Sequence, residues 1–285
     1  MSKSKGNVVT PMALLEKHGS DAVRYWAASA RLGVDATFDE QQMKIGRRLA
    51  MKVLNASKFA LSMGGEGAPA DMDATAVTEP ADRAVLAGLA EVVDEATASF
   101  DAYDHTRALE LAESYFWAFC DDYLELVKDR AYSADPTARS ARVTLNIAVD
   151  VFLRLLAPFI PYATEEVWSW FRTGSVHRAA WPTSEPLRAA AAGADAEILR
   201  VAGEALTALR KVKSENKVSQ RTTYAAVSLD VAEADRERLN AVHADLVRAA
   251  HVRGNLTLHS VTSEAPVAVA AYELDPPEPK TPSRV

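Results

Sequence analysis

Apolar positions recur three and four residues apart over most of the chain, the period of helices with one buried face. Ile45, Leu49, Val53, Ala56 and Ala60 form such a stripe in a helix expected to open at Asp39 and to run to about residue 63. A second helix is expected over about 80–100, and Asp104 is placed to cap a third. That third helix carries Leu109, Ala112, Phe116, Tyr123 and Val127, with one full heptad between the phenylalanine and the tyrosine. A fourth spans about 138–157 with Val143, Ile147, Val151 and Leu155 one turn apart. Pro158 and Pro161 break it and start the next helix, whose Trp168 and Phe171 are expected to cover the bundle end. Stripes of this length joined by short connections predict a helical bundle over 39–185.

The flanks have other patterns. In residues 1–38, Thr10 and Pro11 suit a helix start, Gly19 a helix end and Ser20 the cap of a second helix. Val23, Trp26 and Ala27 then share one face of that second helix, which makes a short hairpin. GGEGAPADMD at 64–73 reads as a flexible loop and the alanine-rich stretch 186–196 as a linker. Beyond it, a helix at about 195–215, an alternating strand TYAAVSLDV and a charged helix at about 233–250 come in sequence. Two more strands, NLTLHSV and VAVAAYEL, are joined by a turn, TSEAP, so 197–275 reads as a small α/β domain. The proline-rich tail 276–285 reads as disordered. No heptad pattern is sustained enough for a coiled-coil arm. The expected fold class is mainly α.

Composition supports this: alanine is abundant, with 12 glycines and 7% aromatics, which favours helix. Cys120 is the single cysteine, which excludes an intrachain disulfide and suits a reducing cytoplasm. The longest apolar run, VFLRLLAPFIPYA, contains Arg154, Pro158 and Pro161, and no membrane span is expected. The net charge of −7 argues mildly against nucleic acid as partner. Two local clusters reverse that balance. Lys44, Arg47, Arg48, Lys52 and Lys58 face one acid, Glu40; Arg210, Lys211, Lys213, Lys217 and Arg221 are interrupted by Glu215. Either cluster by itself is more simply a solvated helix face, whereas together they can place phosphates on an acidic body.

The candidate chemistry sits at the start. MSKSKGN puts Lys3 and Lys5 around Ser4, with Gly6 and Asn7 allowing a turn. Two mobile ammonium groups on a small polar loop suit a grip on phosphate oxygens that tightens in a transition state. The plainer reading is a solvated basic terminus. Asp121, Asp122 and Glu125 lack metal-ligand spacing, the six histidines are scattered, and Cys120 has no encoded partner, so no metal is expected. Neither a GxGxxG nor a P-loop pattern is present.

MSKSKGNVVTP resembles the KMSKS loop of the class I aminoacyl-tRNA synthetases, and five further segments match in order. GSDAVRYWAAS at 19–29 resembles the helix that follows the loop in the valyl, isoleucyl and leucyl enzymes. GRRLAMKVLNASKFAL at 46–61, YFWAFCDDYLELVKDR at 115–130 and LRLLAPFIPYATEEVW at 153–168 resemble helices of their anticodon-binding domain, and AAWP at 179–182 the motif beyond. MSKSKGN and LNASKF look most like the valyl members; the isoleucyl and leucyl specificities stay open. The resemblance implies an anticodon-binding helical bundle preceded by the KMSKS loop and stem-contact hairpin and followed by an α/β cap. It implies valine–tRNA ligase chemistry with ATP as substrate and Mg²⁺, tRNA(Val) as partner and a monomeric complete enzyme. Lys3 matches the second lysine of the loop, which helps stabilise the departing pyrophosphate. Ser2, Ser4 and Lys5 would assist at ATP, and Lys44, Arg47, Arg48, Lys52, Arg210, Lys211, Lys213 and Lys217 would contact tRNA.

The family's loop begins one lysine earlier than Met1. The nucleotide-binding half, the HIGH motif, the amino-acid pocket and the editing domain have no match in the sequence. The chain is therefore expected to be the C-terminal part of such an enzyme, inactive without the rest. A stand-alone, non-catalytic tRNA-binding module and a purely structural helical protein are the alternatives.

Overall fold

The computed structural model describes residues 11–35, 38–63, 70–262 and 265–276. The expectations for Thr10, for most of the loop at 64–73 and for nearly all of the tail fall outside them. Two compact units are present, each assembled from three stretches: 1–74, 88–117 and 142–190 in the first, 75–87, 118–141 and 191–285 in the second. The division does not follow the boundary expected from sequence at 185–197.

In the first unit, α1 (Pro11–His18) and α2 (Ser20–Ala28) form the expected hairpin. Gly19 joins them at φ 88° and is itself the N-cap of α2, so Ser20 begins the helix rather than capping it. The buried face of α2 is Asp21, Ala22 and Tyr25, shifted from the expected Val23, Trp26 and Ala27. Two partners cause the shift. Asp21 accepts from the Tyr162 and Ala163 amides at 3.0 and 2.8 Å, and the Tyr25 hydroxyl donates to Glu113 at 2.6 Å. Those amides belong to the first turn of α8 (Pro161–Phe171), where a carboxylate meets free N–H groups and a favourable helix dipole.

Helix α3 (Glu40–Ser62) opens where expected, with the Asp39 carboxylate accepting from the Gln41 amide at 2.8 Å. Its buried face runs Met43, Gly46, Leu49, Val53, Ala56, Ala60; Ile45 is only half-buried. Gly46 is required by packing, because a Cβ there would lie 2.5 Å from the Cβ of Tyr25. Helix α4 (Pro80–Asp101) leads to α5 (His105–Ala118), capped by Asp104, which accepts from the Arg107 amide at 3.0 Å. The third expected helix is not continuous. A π-helical turn, Phe119–Tyr123, separates α5 from α6 (Leu124–Tyr132). It adds a residue to the turn, and this keeps Phe116, Phe119, Tyr123 and Val127 all buried across the heptad gap.

Helix α7 (Ala138–Leu156) is buried on nearly every side rather than along one stripe, with Ile147 among its few half-exposed positions. In the expected linker, α9 (Glu185–Ala190) forms a short helix that buries Leu187.

The second unit is built around a buried charge network. Asp82, fully buried, receives two hydrogen bonds from the Arg130 guanidinium, at 2.8 and 3.0 Å, and others from the Tyr123 and Ser140 hydroxyls. The Arg130 Nε donates to Asp245 at 2.9 Å. Burial raises the Asp245 carboxyl above its usual range against the pull of Arg130. Helix α10 (Glu197–Glu215) precedes a three-stranded sheet of order β2–β1–β3. Strand β1 (Tyr224–Ala232) alternates buried and half-buried positions and lies in the centre, parallel to β2 (Val252–Val261) and antiparallel to β3 (Ala268–Leu274). The parallel pair needs a crossover, and α11 (Arg236–Ala241) and α12 (His243–Ala249) supply it where one charged helix was expected. The strands flanking TSEAP therefore do not pair with each other. At the β1 bulge a Cβ on Gly254 would lie 1.9 Å from the Ala225 carbonyl oxygen.

Candidate nucleic-acid interface

The buried face of α3 fixes what its other face offers. With Met43, Gly46, Leu49 and Val53 inward, Lys44, Arg47 and Arg48 are exposed and Lys52 is half-exposed, at spacings that place them side by side. Arg48 and Lys52 both lie over the Trp117 indole, 5.6 and 5.5 Å from the ring centroid, close enough for cation–π attraction. The Trp117 N–H donates to Glu113 at 3.2 Å, and Glu113 accepts from Tyr25 as well, so the ring is held by hydrogen bonds. Burial and Glu113 together push the Tyr25 phenol far above its ordinary range, so it stays a donor. Arg47 donates to the Lys17 carbonyl at 3.0 Å, at the end of α1. Glu40, at the start of α3, is held below the usual carboxylate range by Lys17 and then His18. Lys44 has no ion-pair partner among the described residues. The result is a cationic strip with a fixed aromatic ring on it, chemistry suited to phosphates and to an unstacked base.

Trp117 was missed as a site residue because it adjoins Phe116 in a segment that reads as core. Its offset from the apolar stripe of α5 was the available signal. Two exposed aromatics, Tyr162 and Trp170, lie on α8, where Tyr162 shares an open surface pocket with Arg24, Glu165, Glu166 and His177. The two glutamates make that pocket a poor place for phosphate.

The other basic cluster divides. Lys211 and Lys217 are exposed. Arg210 is turned toward its own unit, donating to the Asp121 carbonyl at 3.1 Å and lying 3.5 Å from Glu125. Lys213 is a correction: it is 2% exposed and cannot meet a phosphate. Its ammonium donates to the Gln220 and Ala250 carbonyls at 2.9 and 2.8 Å and lies 4.8 Å from the Tyr224 ring centroid. Burial, with Arg210 nearby, pulls its pKa down to about 8. The sequence held the clue, since Lys213 continues the buried run Ala202, Leu206, Leu209 at helical spacing.

Ser2, Lys3, Ser4 and Lys5 lie outside the described residues. Among the described residues no group of three or more His, Cys, Asp or Glu side chains could hold a metal ion, and no helix is long and apolar enough to cross a membrane. Asp122 packs against Gly203 and its carboxyl is raised by burial, while Glu125 pairs with Lys128 at 2.7 Å; Cys120 is buried.

Comparison with known proteins gives this geometry its context. Residues 82–229 match the anticodon-binding domain of tRNA ligase, and residues 1–39 match the tRNA synthetases class I (I, L, M and V). The chain belongs to the class I tRNA synthetases. Among curated relatives, a Valine–tRNA ligase of Bifidobacterium longum (strain NCC 2705) is 51% identical over 99% of this chain and 34% of its own length. A Valine–tRNA ligase of Thermobifida fusca (strain YX) is 60% identical over 84% of this chain and 27% of its own. The chain thus spans about a third of the length of the curated relatives it matches. In fold it is similar to the LeuRS of Agrobacterium radiobacter K84 in a ternary complex with tRNA and LeuAMS, at a TM-score of 0.50 and 17% identity, over 96% of this chain and 32% of that one. The expected fold class, a mainly α anticodon-binding bundle with a small α/β part, is what the synthetase family and the helices and sheet described above give.

Proposed function

We propose that this chain is the tRNA-binding portion of a cytoplasmic valine–tRNA ligase. In this reading Lys44, Arg47, Arg48 and Lys52 position tRNA(Val) through its backbone, with Trp117 offering a stacking face, and Lys211 and Lys217 add contacts. Residues 1–10 contribute the KMSKS loop to valyl-adenylate formation from valine and ATP with Mg²⁺. There Lys3 stabilises the leaving pyrophosphate, and Ser2, Ser4 and Lys5 support the same phosphates. The complete enzyme is read as a monomer. The observation that carries this reading is the 51–60% identity to valine–tRNA ligases over most of the chain.

The test is a chimera in which this chain replaces the matching third of the Bifidobacterium longum ligase. It is expected to charge tRNA(Val) with valine. Lys3→Ala should lower valine-dependent ATP–pyrophosphate exchange by about 10²–10³-fold, the size of one lost transition-state contact. Substitutions on α3 should instead raise KM for tRNA and leave that exchange intact. Exchange unaffected by Lys3→Ala contradicts the loop's role, and a chimera that cannot charge tRNA(Val) contradicts the ligase reading.

A further inference from the structure

Lys213 is the one buried lysine among the described residues, and it holds the segment 216–221 from two sides. Its ammonium grips the Gln220 carbonyl, and its own carbonyl accepts from the Val218 amide at 3.0 Å. Together with the Lys217 amide bond to the Ser214 carbonyl at 3.0 Å, this closes a Schellman cap on α10, with Lys217 in the left-handed region at φ 53°. The Gln220 amide donates to the Arg210 carbonyl at 3.2 Å and the Ser214 hydroxyl at 3.1 Å. Asn216 donates to the Tyr272 hydroxyl at 3.0 Å. The second carbonyl held by Lys213, that of Ala250, caps the C-terminus of α12, where a cation is favoured.

This frame presents Lys217 and Arg221, both exposed and both without an ion-pair partner among the described residues. Burying an ammonium is unfavourable where an apolar side chain would fill the same volume, so its retention calls for a task. Charges held on a fixed backbone bind phosphates with less ordering entropy to lose than charges on a loose loop.

We propose that Lys213 is a positioning residue that never touches RNA but fixes the 216–221 segment so that Lys217 and Arg221 meet backbone phosphates of a bound tRNA. The inference rests on the tRNA-binding reading above and adds Arg221 and the mechanism of presentation.

The experiment is a tRNA-binding titration of the 285-residue chain at low salt with Lys213→Met, with the pair Lys217→Ala and Arg221→Ala, and with all three changes, alongside melting curves. The pair should weaken binding about tenfold, roughly threefold per lost phosphate contact. Lys213→Met should weaken it by a similar factor, and should have no further effect once Lys217 and Arg221 are gone. A merely structural lysine would lower the melting temperature and leave the affinity of the folded protein unchanged. That result, or an equal loss on both backgrounds, overturns the proposal. Should Lys213→Met fail to fold, Gln220→Ala loosens the same segment from an exposed position. Its loss of affinity should likewise vanish in the Lys217→Ala, Arg221→Ala background, and persistence there overturns the proposal. A parent chain that binds no tRNA overturns the broader reading and this one together. A parent that binds equally well without Lys217 and Arg221 overturns this one alone.

Discussion

Arg130 carries a positive charge that two buried aspartates share, and the molecule cannot lose it cheaply. Removing it by Arg130→Met leaves the buried Asp82 without its cation and Asp245 with only Arg248, 3.6 Å away. Breaking a buried pair from one side destabilises by about 3–5 kcal/mol, which denaturant unfolding at neutral pH should register; a loss below about 1 kcal/mol would mean that water already compensates these carboxylates. Asp135 gives a pH signature. The Thr137 hydroxyl and amide, then Arg248, hold its pKa at about 2, against 3.8 for an unperturbed carboxyl. The folded state therefore keeps this group ionised where the unfolded chain protonates it. Its contribution is present above pH 3.8 and is lost as pH falls through about 2. Asp135→Asn should flatten that part of the stability profile, and an unchanged acid limb contradicts the assignment. Residue roles were the least legible level of the sequence. Lys213 stands among bases and reads as one of a solvated set, yet its phase on α10 puts it inside. Only long-range packing brings Arg130 to Asp82 and Asp245.

At the scale of elements, phase decided which expectations held. Helix α3 was legible from its capping aspartate and its apolar spacing, because both signals are local. The seven-residue gap between Phe116 and Tyr123 was visible too, but reading it as a π-helical turn needed the structure, since one extra residue in a turn leaves no composition signal. Strand order was not legible. A turn signal such as TSEAP favours a hairpin locally, while the alternating apolar face of β1 claims the central position through contacts distant in sequence. The α2–α3 approach makes a prediction of its own. Gly46→Ala would place a methyl 2.5 Å from the Cβ of Tyr25. Overpacking of that kind costs about 1–3 kcal/mol, so thermal melts should shift downward; an unshifted melt would mean that α2 can move away from α3 freely.

The molecule as a whole combines an acidic net charge of −7 with two basic surfaces, one in each compact unit. Membership of the class I synthetases was legible because six short segments occur in family order, a pattern that survives without knowledge of packing. The central claim is that the cationic strip of α3, with Trp117 upon it, is a tRNA contact surface. Its most direct test is the salt dependence of tRNA binding by the parent chain and by a variant with Lys44, Arg47, Arg48 and Lys52 changed to glutamine. Each phosphate contact contributes close to one unit to the slope of log affinity against log salt. The variant is predicted to bind more weakly with a slope shallower by about 3–4 units. Equal affinity and equal slope in the two proteins would contradict the claim.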